Sequence, residues 1–425
     1  MRAGPKRLLM FTIGGLAIAS SLWFGITTLQ HKKILSRIQE QDLLAHKEGI
    51  PTNRREMDEL LPRVATVDDA YPLYWEIQKT YSKSSKGKDM YKSIPAEKLP
   101  EYLNAFSEEL ELFQIASQKK GARWSKDWNH GAAVLFPELA PLKGLTKLIC
   151  QRASMHSKNG RHSAAIADYQ MVRKVITHLL DQPVALTTLV AQSLLSIEFT
   201  SISNDCLKVK NKQPYLQELT ELVNVSPHFD SKKFLITEYI DVTTLIETCE
   251  TKEGRESLGI SESDVAPANK LFTLLFNQNE ARISIRKALI EKWQALKRPE
   301  NEQSAAIEIA NQKLFTGLLA FPTASKIYSS LIGSETPLST AKRFEARDQA
   351  YRLIIQALTP STIPKAIDTT KLINPFSEKP IKYSFDGKHI KIEYCADESD
   401  VTDSNPMVIY LPKLTEREKQ TQQKT

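Results

Sequence analysis

Residues Leu8–Leu29 (LLMFTIGGLAIASSLWFGITTL) carry no charged side chain, with Arg2, Lys6 and Arg7 before them and His31, Lys32 and Lys33 after. An α-helix rises about 1.5 Å per residue, so this run is long enough to cross a hydrocarbon core of roughly 30 Å. A helix there satisfies its own backbone hydrogen bonds, and Trp23 sits where an interfacial ring is favoured. The sequence therefore predicts a chain tethered to a membrane. The flank 1–7 is short and basic, which keeps it cytoplasmic and makes 8–29 an uncleaved signal anchor. The competing reading is a signal peptide cleaved after Ala17-Ile18-Ala19. The anchor is favoured because the apolar run continues through Leu22, Trp23, Phe24 and Ile26. Either reading exports the remainder, giving a single-pass protein of the cytoplasmic (inner) membrane with its bulk extracytoplasmic.

Hydrophobic residues make up 41% and charged ones 25% of the chain, which is enough for a sizeable core and excludes wholesale disorder. The net charge of +7 is spread along the chain, so no nucleic-acid partner is expected. Its densest basic stretch, Lys83 to Lys92, reads as a solvated loop. Cys150, Cys206, Cys249 and Cys395 form no CxxC pair, so zinc-ribbon and thioredoxin chemistry have no support. Cys150 and Cys249 lie in apolar helical contexts and read as small core residues.

Apolar residues recur at helical spacing over most of the chain. A helix over 31–47, with Ile34, Leu35, Ile38 and Leu43 on its stripe, stops at Gly49 and Pro51. A short one starts at Asn53, with Glu56 at capping-box spacing, and ends at Pro62. Another begins at Thr66 to Asp69 and runs to about Tyr81. Pro100 opens an amphipathic helix through Leu103, Phe106, Leu110 and Phe113, which ends at Gly121. Helices over 142–157 and 163–180 are joined by Lys158-Asn159-Gly160, with Gly160 available for a left-handed turn. A third, 184 to about 207, is apolar over much of its surface and reads as buried. Further helices are predicted over 213–224, 231–250, 267–298, 303–317 and 338–358. After Pro364 the pattern alternates: Ile381 to Tyr383 and His389 to Tyr394 flank Asp386-Gly387, a hairpin signal, and Met407 to Leu411 adds a third short strand.

The expected fold is mainly α: stacked α-hairpins, tetratricopeptide-like in one unit, behind an N-terminal transmembrane helix, with a small C-terminal β-hairpin. The expected divisions are a flank over 1–7, the anchor over 8–29, juxtamembrane helices over 30–66, a helical domain over 67–363, a β-hairpin cap over 364–412 and a disordered tail over 413–425.

Asn374-Pro375-Phe376-Ser377-Glu378-Lys379-Pro380 followed by Ile381-Lys382-Tyr383 resembles a DPF-x-GKP-x-x-Y signature. That signature ends families of uncharacterised bacterial proteins with an N-terminal anchor and a helical middle. Asp69-Ala70-Tyr71-Pro72-Leu73-Tyr74, and Leu135 to Leu139 followed by Lys143-Gly144-Leu145, fit the same families, as does the Gly160 hairpin. The resemblance implies architecture and location rather than an activity. The C-terminal hairpin also resembles the end of type II secretion pseudopilins, where a following loop binds calcium. By that likeness Asp397, Asp400 and Asp403 are candidate calcium ligands, although the loop glycines are missing here; the alternative is an acidic surface loop.

There is no P-loop, GxSxG, HExxH or GxGxxG motif, and no catalytic residue is assigned. His156, His162 and His178 are not spaced as a metal pair and read as helix-surface or turn residues. Trp124, Trp128 and His130 are the candidate binding residues. Two tryptophans four apart with polar neighbours suit a groove for glycan or peptide; the alternative is a pair of core aromatics. The expectation is a membrane-anchored scaffold or interaction protein of a bacterial envelope, binding a protein or peptide partner on a concave helical surface. The alternatives are an exported glycan- or cell-wall-acting protein using Trp124 to His130, and an accessory subunit of a secretion machine.

Overall fold

A computed structural model describes residues 32–83, 94–124, 126, 136–182, 184–209, 212–224, 227, 231–250, 256, 278–319, 321, 324–325, 349, 352–353, 356–357, 367–370, 372, 379–385, 389–393 and 407–410. The predicted span Leu8–Leu29, its flank 1–7 and the tail 413–425 lie outside them, as does most of the helix predicted over 338–358. Among the described residues no helix is long and apolar enough to cross a membrane.

The described chain is mainly helical with one small antiparallel sheet. In order it forms α1 (32–47), α2 (Arg54–Leu60), a 3-10 turn (Thr66–Asp68), α3 (Tyr71–Lys83), a second 3-10 turn (Ala96–Lys98), α4 (Leu99–Ala105) and α5 (Ser107–Ser117). The long helices follow: α6 (Leu139–Lys158), α7 (His162–Leu180), α8 (Ala185–Lys208), α9 (Lys212–Asn224), α10 (Ser231–Glu250), α11 (Gln278–Ala295) and α12 (Glu300–Leu318). Strands β1 (Lys382–Phe385), β2 (His389–Glu393) and β3 (Met407–Tyr410) close the sequence.

These helices divide into two compact units that are interleaved along the chain. The stretch over 67–363, expected as one domain, contributes to both. Unit one draws on described residues of 32–56 and 238–325, and unit two on 57–126, 136–237 and 349–410.

In unit one, α1 ends where its sequence predicts. Gly49 has φ +80°, and the N–H groups of Ile50 and Gly49 donate to the carbonyls of Ala45 and His46, both at 3.0 Å. This pairing satisfies carbonyls that the last helical turn leaves without partners. Its buried face differs from the expected leucine stripe. Leu35, Leu43 and Leu44 are exposed, while Ile34, Ile38, Asp42 and Ala45 turn inward. The cause is polar: Asp42 Oδ1 accepts from the Tyr239 hydroxyl at 2.6 Å and from Arg286 Nε at 3.0 Å, which fixes the rotation of the helix. Ala45 and Ile50 join a core with Tyr239, Val242, Leu245, Ile246, Ile285, Leu289, Leu314 and Leu318. A buried Lys292–Glu238 pair at 2.6 Å joins α11 to α10. Gly317 of α12 lies so close to α11 that a Cβ there would stand 2.6 Å from Ile285 Cγ1.

Asn53 caps α2 as expected: its Oδ1 accepts from the Glu56 N–H at 3.1 Å. The Glu56 carboxylate reaches back to the Thr52 N–H at 2.7 Å rather than to that of Asn53.

Unit two is built on α6, α7 and α8, which pack pairwise. Gly160 (φ +75°) turns α6 into α7 by the same bonding as Gly49, the Arg161 N–H reaching the His156 carbonyl at 2.9 Å and the Gly160 N–H that of Ser157 at 3.1 Å. The helix predicted from Pro100 is broken at Phe106, where φ is −114° and ψ is 25°. The break lets Phe106 bury completely beside Tyr81, at a ring distance of 5.4 Å. The sheet has the order β1-β2-β3, both pairs antiparallel. In it Tyr383 stands opposite Ile392, which is buried with Ile381 in the core of unit two.

Candidate functional site

The inward halves of α6 and α8 are apolar: Leu142, Leu145, Leu148, Ile149 and Ala153 on one, Ala191, Leu194, Leu195 and Ile202 on the other. A second stripe on each helix is polar. On α6 it is Lys143, Lys147, Gln151, Ser154 and Lys158; on α8 it is Ser193, Ser196, Thr200, Ser201, Asn204 and Asp205. Steps of three and four residues keep each stripe on one helical face. Together with Ile94, Ala96 and Leu99 they line an open cavity of about 940 Å³, at the upper end of the range for ligand pockets. Helix α8 is therefore not wholly buried, as its apolar composition implied, because its serines and threonines fall in phase.

The floor of the cavity is a hydrogen-bonded network. Ser154 Oγ lies 3.0 Å from Ser201 Oγ, which donates to the Cys150 carbonyl at 3.1 Å. From α7 the Tyr169 hydroxyl reaches Ser201 Oγ at 2.9 Å and donates to Asp205 Oδ2 at 2.8 Å. Burial raises the Asp205 carboxyl above its ordinary range, against the hydrogen bonds and the nearby Lys158 charge that lower it. Burial also raises the Cys150 thiol well above its ordinary value, which disfavours the thiolate. Below the floor, Arg152 makes a two-pronged pair with Asp168 at 2.7 and 3.0 Å. Arg173 joins Glu198 of α8 at 2.8 Å and the Leu222 carbonyl of α9 at 2.8 Å. The cavity is thus a hydroxyl-lined groove with one cationic wall, that of α6.

Of the residues chosen from sequence, the structure describes Trp124. Trp124 does not line an open groove: it is wholly buried, its ring against Tyr71, Tyr74 and Phe136 at 5.7, 5.9 and 6.2 Å. Its backbone is held by buried Gln182, which also donates to the Ala122 carbonyl at 2.7 Å. This is the core-aromatic alternative, and apolar burial is its cause. Trp128 and His130 lie outside the described residues, as do Asp397, Asp400 and Asp403. Among the described residues no three His, Cys, Asp or Glu side chains are grouped to hold a metal. Cys150, Cys206 and Cys249 are buried thiols that form no disulfide among the described residues.

His178, expected on a surface, is buried between α3 and α7. Its Nε2 faces the Lys119 carbonyl at 3.2 Å, which only accepts, so Nε2 carries the proton and Nδ1 accepts from the Tyr74 hydroxyl at 2.6 Å. Burial lowers its pKa to about 4. The groove itself was not foreseen; the only signal for it was the in-phase run of serines and threonines on α8 opposite the lysines of α6. No family model, curated protein or solved structure matches the chain.

Proposed function

We propose that this protein is a membrane-anchored, extracytoplasmic binding protein of a bacterial envelope, tethered through Leu8–Leu29. Its α6–α8 groove takes an extended acidic segment of a partner protein or peptide. The observation that carries this reading is the pairing of three lysines on one wall with a row of hydroxyl groups, the Asn204 amide and the Asp205 carboxyl on the other. Lysines contribute long-range attraction for carboxylates, and hydroxyls supply both donors and acceptors for a peptide backbone. The described lining residues include no aromatic ring, the platform on which sugars stack, which favours peptide over glycan.

The test uses the full chain in nonionic detergent and a panel of fluorescent acidic, neutral and basic peptides. Acidic peptides should bind with an affinity that falls as salt rises. Reversing Lys143 and Lys158 to Glu should weaken that binding by about a hundredfold, a loss of roughly 3 kcal/mol for two close charge pairs. Equal binding of acidic and basic peptides, or no response to the reversals in a folded variant, would overturn the reading. Retention of acidic polysaccharide in place of peptide would move the function to glycan binding.

A further inference from the structure

Lys126 follows Trp124 on irregular chain, and its ammonium group is enclosed. Four rings face its Nζ: Phe136 at 5.0 Å, Tyr71 at 5.3 Å, Trp75 at 5.7 Å and Trp124 at 6.0 Å. The Lys126 side chain is 8% exposed, and the carboxylate of wholly buried Glu138 pairs with it. Rings presenting their negative faces to one point, with a carboxylate behind them, are the arrangement that holds a cation out of water. The cage shares no residue with the α6–α8 groove.

A lysine fits this cage only in part. A primary ammonium has three N–H donors and is strongly hydrated. Among the described residues its hydrogen bond goes to Glu138 Oε1, and four ring faces stand around it. Glu138 Oε2 and Trp124 Nε1 are both buried without a hydrogen-bond partner among the described residues. An alkylated ammonium suits the site better. Its methyl groups pack on the rings, it has fewer or no N–H groups to satisfy, and it leaves water at less cost. The rim is accessible: Trp75 is 40% exposed, and Tyr71 and Phe136 are half-buried.

We propose that Tyr71, Trp75, Trp124, Phe136 and Glu138 form a binding site for an alkylated ammonium cation, which Lys126 occupies as an internal stand-in. The ligand enters by displacing the lysine side chain, so Lys126 sets the affinity.

The experiment titrates tetramethylammonium chloride, then choline chloride, into the full chain while intrinsic tryptophan fluorescence is followed, with sodium chloride matching the ionic strength. The expected result is a saturable change absent with sodium. Lys126→Ala should tighten binding by about tenfold or more, since the competing cation is gone. Trp75→Ala, a change at an exposed ring, should weaken it by about the same factor. A folded Lys126→Ala protein with no saturable response would overturn the proposal, as would a Trp75→Ala variant that binds like the wild type. If Lys126→Ala does not fold, the comparison of wild type with Trp75→Ala decides alone. Free choline and a phosphocholine headgroup share this chemistry. Displacement of choline by monomeric short-chain phosphatidylcholine, and not by phosphatidylglycerol, assigns the site to a lipid; binding of free choline without displacement assigns it to a soluble cation.

Discussion

His178 is held neutral by its surroundings: a carbonyl on Nε2, a tyrosine hydroxyl on Nδ1 and little water. Its pKa falls from 6.5 to about 4 in the folded protein. Between those values the unfolded chain takes up a proton that the folded one refuses. Stability contributed at neutral pH is therefore lost as pH falls from about 6.5 to about 4, by about 3 kcal/mol in all. Urea unfolding of wild type and His178→Gln at pH 7 and pH 4.5 checks this. The gap between them should narrow by about 2 kcal/mol at the lower pH. A constant gap would show that His178 titrates normally. Arg173 gives a second prediction. It is buried, and it bridges α7, α8 and α9 through Glu198 and the Leu222 carbonyl. Replacing it with Met strands a buried carboxylate, and a loss of about 3–5 kcal/mol is expected by chemical denaturation. Arg173→Met with Glu198→Leu should recover most of that loss.

At the scale of elements, the close approach of α11 and α12 rests on Gly317. Alanine there gains about 1 kcal/mol of helix propensity, but its Cβ would sit 2.6 Å from Ile285 Cγ1. The overlap outweighs the propensity, and Gly317→Ala should destabilise unit one by about 1–2 kcal/mol in a thermal melt. Adding Ile285→Val should restore part of it. Elements such as these were legible where two signals coincided: apolar spacing with a stop residue at Gly49 and Gly160, or β alternation around Asp386-Gly387. They were less legible where the deciding partner is distant in sequence. The apolar period runs unbroken through Phe106, so the break there is set by burial against Tyr81. The rotation of α1 follows an ion pair to Arg286 rather than its leucines. His178 finds Tyr74 across another helix. The groove escaped notice because serine and threonine are weak markers in an apolar helix, and its two walls come from helices separated by α7. Trp124 stood out correctly as a large aromatic, but the sequence could not say which way it faced.

For the whole molecule, the two units predict two unfolding events. Gly317→Ala should lower one calorimetric transition and Arg173→Met the other, each leaving its counterpart within about 1 °C, because distant substitutions act independently. A single transition that shifts with both would mean the units unfold together. Their interleaving has a further consequence for synthesis. Unit one needs residues from 32–56 and again from 238–325, while unit two takes 57–237 and then waits for Ile381 and Ile392. No single cut in the gene separates them, because each unit draws on separate stretches with residues of the other between them. At about 5–20 residues per second, the helices of unit two stand without their strands for on the order of ten to thirty seconds. Through that interval the apolar surface that Ile381 and Ile392 later cover stays bare, so the order in which the ribosome delivers this chain leaves that part of the core to close last.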